Sequence, residues 1–213
     1  MIMHDLIASS VDATSGELKT PDVSLSGFYA TFLKRAFDLV AVLFTAPIVV
    51  LILLPFLALI ARDGGNPFYT QRRIGRGGKA ERIWKLRSRV VDADNRLNAY
   101  LAADPEAKAE WDETQKLKSD PRITKLGHFI RKTSLDELPQ LWNVLLGDMS
   151  LVGPRPMMVS QKSLYPGEDY YRLRPGITGA WQVSARNEST FAERSSYDSQ
   201  YFKNLSLKTD AQI

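Results

Sequence analysis

The sequence predicts an α+β fold, mainly helical, with one membrane helix that enters and leaves through the same leaflet and a small cytoplasmic domain with short strands. Three observations carry this. Residues 39–61 run without a charge, basic residues flank that run on both sides, and short β-like segments separated by glycine turns follow it before the pattern returns to helix.

Residues 1–30 are rich in Ser, Thr, Asp and Gly and lack a sustained apolar period, so they read as a mobile tail. They also lack the basic, then apolar, then small-residue order of a signal peptide.

The membrane helix spans 31–62. Its apolar run, LVAVLFTAPIVVLILLPFLALIA, is about 34 Å long as a helix, enough for a hydrocarbon core of about 30 Å. Pro47 and Pro55 each remove a helical hydrogen bond and favour a bend. Lys34 and Arg35 precede the run, and Arg62, Arg72, Arg73, Arg76 and Lys79 follow it. Cytoplasmic flanks collect Lys and Arg, so two basic flanks favour both ends on the cytoplasmic side, which a bend at Pro47 would allow. Against this, a straight span leaves no backbone group unsatisfied. Asp38 lies three and four residues after Arg35 and Lys34, a spacing that predicts ion pairs at headgroup level.

Residues 63–213 form the cytoplasmic domain. Asp63-Gly64-Gly65-Asn66-Pro67 is turn chemistry. Phe68-Tyr69-Thr70 and Arg82-Ile83-Trp84-Lys85-Leu86 read as a hairpin closed by Gly75-Arg76-Gly77-Gly78. That glycine turn lacks the lysine–serine ending of a phosphate loop and precedes a strand, not a helix. Residues 91–118 read as surface helices broken near Pro105. Residues 134–146 read as one helix, with Ser134 and Glu137 as a capping box and Leu138, Leu141, Trp142 and Leu145 as its apolar face. Asp136, Gln140 and Asn143 make a polar stripe. The chain beyond Gly147 is loop-rich, and a last helix begins near Thr190.

Composition narrows the chemistry. There is no cysteine, which removes disulfides, thiolate zinc sites and thiol nucleophiles. The two histidines are His4, in the tail, and His128, too few for a histidine metal site or a Ser–His–Asp triad. Catalysis would fall to carboxylates, Lys, Arg and Tyr. A net charge of +4 and a pI near 9.2 suit an anionic partner.

Asp136 and Glu137 are the leading catalytic candidates. A carboxylate can attack phosphorus or hold Mg²⁺. In the first turn of a helix the dipole would favour their ionised forms. Glu137 is equally explained as a capping residue. Arg155, locked in Gly153-Pro154-Arg155-Pro156, and Arg186 offer planar forks suited to phosphate, as any surface arginine does. Lys85 and Arg87 alternate with Trp84 and Leu86 as on an ordinary half-buried strand.

Five segments in order resemble the bacterial sugar transferases, the monotopic polyprenyl-phosphate phosphoglycosyl transferases. They are Lys34-Arg35-Ala36-Phe37-Asp38, Gln71-Arg72-Arg73-Ile74-Gly75, the run from Ser134 to Val144, the run from Gly147 to Pro156, and Arg174-Pro175-Gly176-Ile177-Thr178-Gly179. The short form, with one membrane segment, is similar to the members that start exopolysaccharide synthesis with galactose or glucose phosphate. The resemblance implies transfer of a sugar phosphate from a UDP-sugar to undecaprenyl phosphate at the bacterial inner membrane, with Mg²⁺ as cofactor. It implies Asp136 as nucleophile and metal ligand with Glu137 as partner, and Lys85, Arg155 and Arg186 as phosphate contacts. Asp198 and Asp210 match acidic positions near the family's active site, and Pro47 marks the membrane bend. Self-association is left open.

Three departures stand out. The usual Ser-Pro at the bend is Ala46-Pro47, the usual Gly before Arg186 is Ala185, and family members continue past the position of Ile213, which implies a C-terminal truncation. Two other readings compete. A basic membrane-anchored adaptor for acidic lipid or a protein needs only the charge and the apolar run. Nucleic-acid binding has only the pI behind it, with no motif.

Overall fold

The computed structural model describes residues 27–114, 117–184 and 189–213. A π-helical turn, Tyr29–Leu33, leads into α1, Lys34–Ala61, so helix replaces the expected tail from Tyr29 onward. The rest of that expectation, residues 1–26, lies outside the described residues. An antiparallel hairpin follows, β1 (Phe68–Ile74) and β2 (Ala80–Leu86), with Phe68 opposite Leu86 and Ile74 opposite Ala80. Its turn needs glycine, since Gly77 and Gly78 have φ of 69° and 76°.

Helices α2 (Ala93–Ala103) and α3 (Pro105–Thr114) break at Pro105 as expected, because proline suits the first helical position. Then come α4 (Lys125–Lys132), α5 (Gln140–Leu146), β3 (Ser150–Val152), α6 (Asp169–Arg172), β4 (Gly176–Thr178), α7 (Ala180–Ser184), α8 (Arg194–Lys203) and α9 (Leu207–Gln212).

Strands β3 and β4 pair in parallel, Ser150 with Gly176 and Val152 with Thr178. This joins the two glycine–proline motifs back to back. The Gly153 N–H donates to the Thr178 carbonyl at 2.9 Å, and the Gly176 N–H to the Pro154 carbonyl at 2.8 Å. A Cβ on Gly176 would lie 2.1 Å from the Gly153 nitrogen, so only glycine permits this approach. The two prolines around Arg155 therefore stand on a fixed base.

Helix α1 lies against this domain along both of its halves. Val42 packs with Ile83, Val144 and Met149, while Leu53 and Ile60 pack with Leu86 and Ile130. At the entry, Lys34 pairs with Asp210 at 2.6 Å, and the Asp38 carboxylate accepts from the Leu151 N–H at 3.0 Å. Arg35 donates to the Val144 and Leu145 carbonyls. The expected pairing of Asp38 with Lys34 and Arg35 is thus replaced. All three face the domain, where partners distant in sequence outcompete helical neighbours. At the exit, Arg87 donates to the Ile60 carbonyl at 3.0 Å and to Asp63 at 2.6 Å.

Both prolines lie inside α1. The Thr45 hydroxyl donates to the Ala41 carbonyl at 2.8 Å, a bond that tends to bend helices. The outer face of α1 is apolar and open, with Phe44 81% and Leu51 69% exposed. The helix is long and apolar enough to cross a membrane.

Candidate active site

The Ser134–Glu137 segment departs from the expected helix. Ser134 has φ 57°, left-handed rather than the extended conformation an N-cap needs, and its side chain caps nothing. Leu135–Glu137 is a 3-10 turn, and α5 starts only after Pro139, whose missing N–H costs nothing at a helix entrance. Of the expected apolar face, Leu138, Leu141 and Leu145 pack against the core as expected, and only Trp142 departs. Trp142 is 55% exposed, whereas Gln140, Asn143 and Val144 are buried.

Ser134 is the one non-glycine residue with positive φ among the described residues. Such strain concentrates at functional sites. Here it turns two acidic side chains toward β2. Lys85 Nζ lies 2.8 Å from Glu137 Oε1 and 3.6 Å from Asp136 Oδ2. Arg155 Nη2 lies 3.7 Å from the same Glu137 oxygen. Lys85, Asp136, Glu137 and Arg155 are therefore brought together, as the sequence expectations required of a shared site.

Asn143 fixes the strand that carries Lys85. Fully buried, it accepts from the Trp84 N–H at 3.0 Å and donates to the Arg82 carbonyl at 2.7 Å. One side chain thus stands in for a neighbouring strand along β2. Satisfying both groups keeps the alternation that turns Ile83 and Lys85 to the same face.

Arg73 and Gln140 also line this cleft, beside Lys85, Glu137 and Arg155. Neither was assigned a part in it from the sequence. Arg73 stood inside the Gln-Arg-Arg-Ile-Gly motif, but only the hairpin pairing reveals which arginine faces inward. Lys85, Arg155 and Arg73 thus stand around Glu137, with Asp136 beside Lys85, and the surplus positive charge suits a phosphorylated ligand.

Burial pushes the Asp136 carboxyl above the usual aspartate range, with nearby Glu137 adding to the rise and Lys85 opposing it. The expectation that a helix dipole would favour ionisation is corrected, because the pair does not sit in an α-helical first turn. Lys85 is the nearest charge that keeps Asp136 available as an anion.

Asp198 and Asp210 lie elsewhere. Asp198 accepts a 2.6 Å bond from the Tyr165 hydroxyl, and burial raises its pKa to about 6. Asp210 joins Lys34, Tyr29 and Tyr201 at the foot of α1. Arg186 falls among residues 185–188, outside the described residues. Arg194, which no sequence pattern singled out, is buried and donates to the Arg155 carbonyl at 2.6 Å, with the Trp181 ring 4.8 Å from its guanidinium carbon.

Among the described residues no three carboxylate or histidine side chains cluster into a ready cation cage. Mg²⁺ does not need one. It commonly rests on one or two carboxylates and takes its other ligands from water and substrate phosphates. The Asp136–Glu137 donor set fits that manner of binding.

A family model described as bacterial sugar transferase matches residues 29–213. The chain belongs to that family. The UDP-galactose-lipid carrier transferase of Erwinia amylovora is 50% identical over 192 residues, covering 89% of this chain and 40% of that protein. The undecaprenyl-phosphate galactose phosphotransferase of Salmonella typhimurium is 48% identical over 184 residues, covering 85% of this chain and 39% of that protein. The exopolysaccharide production protein ExoY of Rhizobium meliloti is 43% identical over 187 residues, covering 84% of this chain and 81% of ExoY. This sugar transferase chain therefore spans about two fifths of the first two relatives and most of the third. The motifs that led to the family are those that meet in space. They supply Lys85's partners, the fixed arginine at 155 and the foot of the apolar helix.

Proposed function

We propose that this chain transfers a sugar 1-phosphate from a UDP-sugar to undecaprenyl phosphate, giving undecaprenyl-diphosphate-sugar and UMP, as a membrane step of surface polysaccharide synthesis. The observation that carries this is the half-buried Asp136–Glu137 pair beside Lys85, Arg73 and Arg155. A phosphoryl-transfer site needs an anionic nucleophile and fixed positive charge around the phosphate, and this cleft supplies both.

In the first step an Asp136 oxygen attacks the β-phosphorus. The bond from that phosphorus to the bridging oxygen breaks, and the electron pair leaves with UMP. In the second step a phosphate oxygen of undecaprenyl phosphate attacks the same phosphorus and Asp136 departs as carboxylate. Both attacking groups are anions, so no histidine base is required. Glu137 holds Lys85 against Asp136, and Arg155 and Arg73 bind phosphate oxygens, with Arg186 as a further phosphate contact. Mg²⁺, held by Asp136 and Glu137, would neutralise diphosphate charge. The expected nucleotide product is UMP, measured with UDP-sugar and undecaprenyl phosphate together. UDP as the sole nucleotide product would mean direct glycosyl transfer and a different enzyme.

The same reading puts both ends of α1 on the cytoplasmic side of the inner membrane. Support comes from the two ends of the helix, Lys34 with Asp210 and Ile60 with Arg87, which are both held by the domain. A helix of this length crossing straight through would extend about 42 Å, and its two ends would face opposite compartments. The chain has no cysteine, so single cysteines at Ser10 and, separately, Ser160 report topology cleanly. Both are expected to escape an impermeant thiol reagent in intact cells and to react once the membrane is opened. Labelling of Ser10→Cys alone in intact cells would mean that α1 crosses the bilayer.

A further inference from the structure

A second, larger cavity of about 530 Å³ opens beside the acidic pair and shares Glu137 and Arg155 with the cleft described above. Its volume falls in the range of ligand pockets. Leu138, Leu141, Leu151, Ile177 and the half-exposed Val183 form its apolar surface, and Glu137, Arg155, Thr133, Ser134, Thr178 and Gln182 complete the lining.

Leu138 packs into the cluster that contains Leu53 and Ile60 of α1, and Leu141, Leu151 and Ile177 pack against the cluster that contains Val42. The residues that line the cavity thus join the reactive carboxylates to the helix whose open face is apolar. The Leu138, Leu141, Leu151 and Ile177 surface offers no partner to sugar hydroxyls, whereas an apolar chain buries against it favourably. The small cleft, with Arg73, Lys85 and Arg155, carries the cations that a donor diphosphate needs.

We propose that this cavity seats the first isoprene units of the lipid acceptor, with the acceptor phosphate at Arg155 and the tail leading toward α1. The assignment rests on the proposed transfer reaction and adds the place where its second substrate binds. Donor and acceptor then approach the acidic pair from two different pockets, which lets the phosphosugar stay in place while UMP leaves and the lipid phosphate enters.

Two measurements test this. The first needs no turnover: a polyprenyl phosphate carrying a diazirine in its first isoprene units is photolysed with the purified full chain in nanodiscs, and adducts are mapped by peptide mass spectrometry. Adducts are expected in residues 133–141 and 177–183. Adducts confined to α1 or to the α2–α3 region would overturn the proposal. The second uses Val183→Trp, a half-exposed position where the larger ring fills the cavity without entering the core. It is expected to raise KM for polyprenyl phosphate about tenfold or more, which corresponds to about 1.4 kcal/mol, while UMP formation from UDP-sugar alone stays within about twofold of the parent. A raised KM for UDP-sugar, or no change for either substrate, would overturn the assignment. A parent protein that releases no UMP would instead refute the transfer reaction, and the photolysis result would still decide where the lipid phosphate binds.

Discussion

Asp136→Asn is expected to reduce sugar-phosphate transfer by about a thousandfold or more while leaving the protein folded. Asn has nearly the volume of Asp but cannot act as an anionic nucleophile, and losing a covalent route costs several orders of magnitude. The fold does not depend on the lost charge. Lys85 keeps its shorter contact to Glu137 at 2.8 Å, whereas its distance to Asp136 is 3.6 Å. Initial-rate assays on protein whose melting temperature matches the parent provide the check. Substantial transfer by folded Asp136→Asn would remove Asp136 from the nucleophile's role.

The largest effect on stability is expected at the foot of α1. The Asp210 side chain is 1% exposed and pairs with Lys34 at 2.6 Å. It also accepts from the Tyr29 hydroxyl at 2.5 Å and the Tyr201 hydroxyl at 2.6 Å. Asp210→Ala strands one ammonium and two hydroxyls together. Removing one partner of a buried ion pair typically costs about 3–5 kcal/mol. Asp210→Asn should cost less, because its amide oxygen still accepts from a hydroxyl. Denaturant unfolding in a fixed detergent measures both. A loss below about 1 kcal/mol for Asp210→Ala would show that this cluster does not anchor the helix.

These two positions show how much the sequence disclosed. The hairpin was legible because strand alternation and a glycine turn are local signals, and β1 and β2 appear where they were expected. The break at Pro105 was legible for the same reason. Asp136, Glu137 and Arg155 were legible as candidates, since they stand in dense motifs, whereas Lys85 was marked only by the family resemblance. Their meeting was not, because 52 residues separate Lys85 from Glu137 in the chain. The clustering of Asp210 with Lys34 spans 176 residues and leaves no periodic trace.

The capping box shows how a local rule can mislead. Ser134 and Glu137 have the right spacing, yet Glu137 bonds to Lys85 and Ser134 turns left-handed. The reciprocal bonds appear instead at Thr190 and Glu193, where the Thr190 N–H reaches Glu193 Oε2 at 2.7 Å and the Glu193 N–H reaches the Thr190 hydroxyl at 3.3 Å. That box stands just before α8, near the expected start of a last helix. The same spacing thus forms a cap where nothing competes for the glutamate, and an ion-paired turn where a lysine does. Asp136 follows the same logic. A dipole argument from sequence favours its ionised form, but burial, which sequence does not reveal, raises its pKa.

A membrane-anchored adaptor accounts for the charge and for α1, but it gives no reason to hold two half-buried carboxylates beside three cations. The covalent route does, and it makes one demand that no adaptor or single-step transferase shares. With UDP-sugar and no lipid acceptor, the chain is expected to release UMP in an amount close to that of the enzyme and to gain the mass of one sugar phosphate, mapping to the peptide that contains Asp136. Asp136→Asn should give neither signal. UMP that appears only after undecaprenyl phosphate is added, with no change in the mass of the protein, would contradict the account.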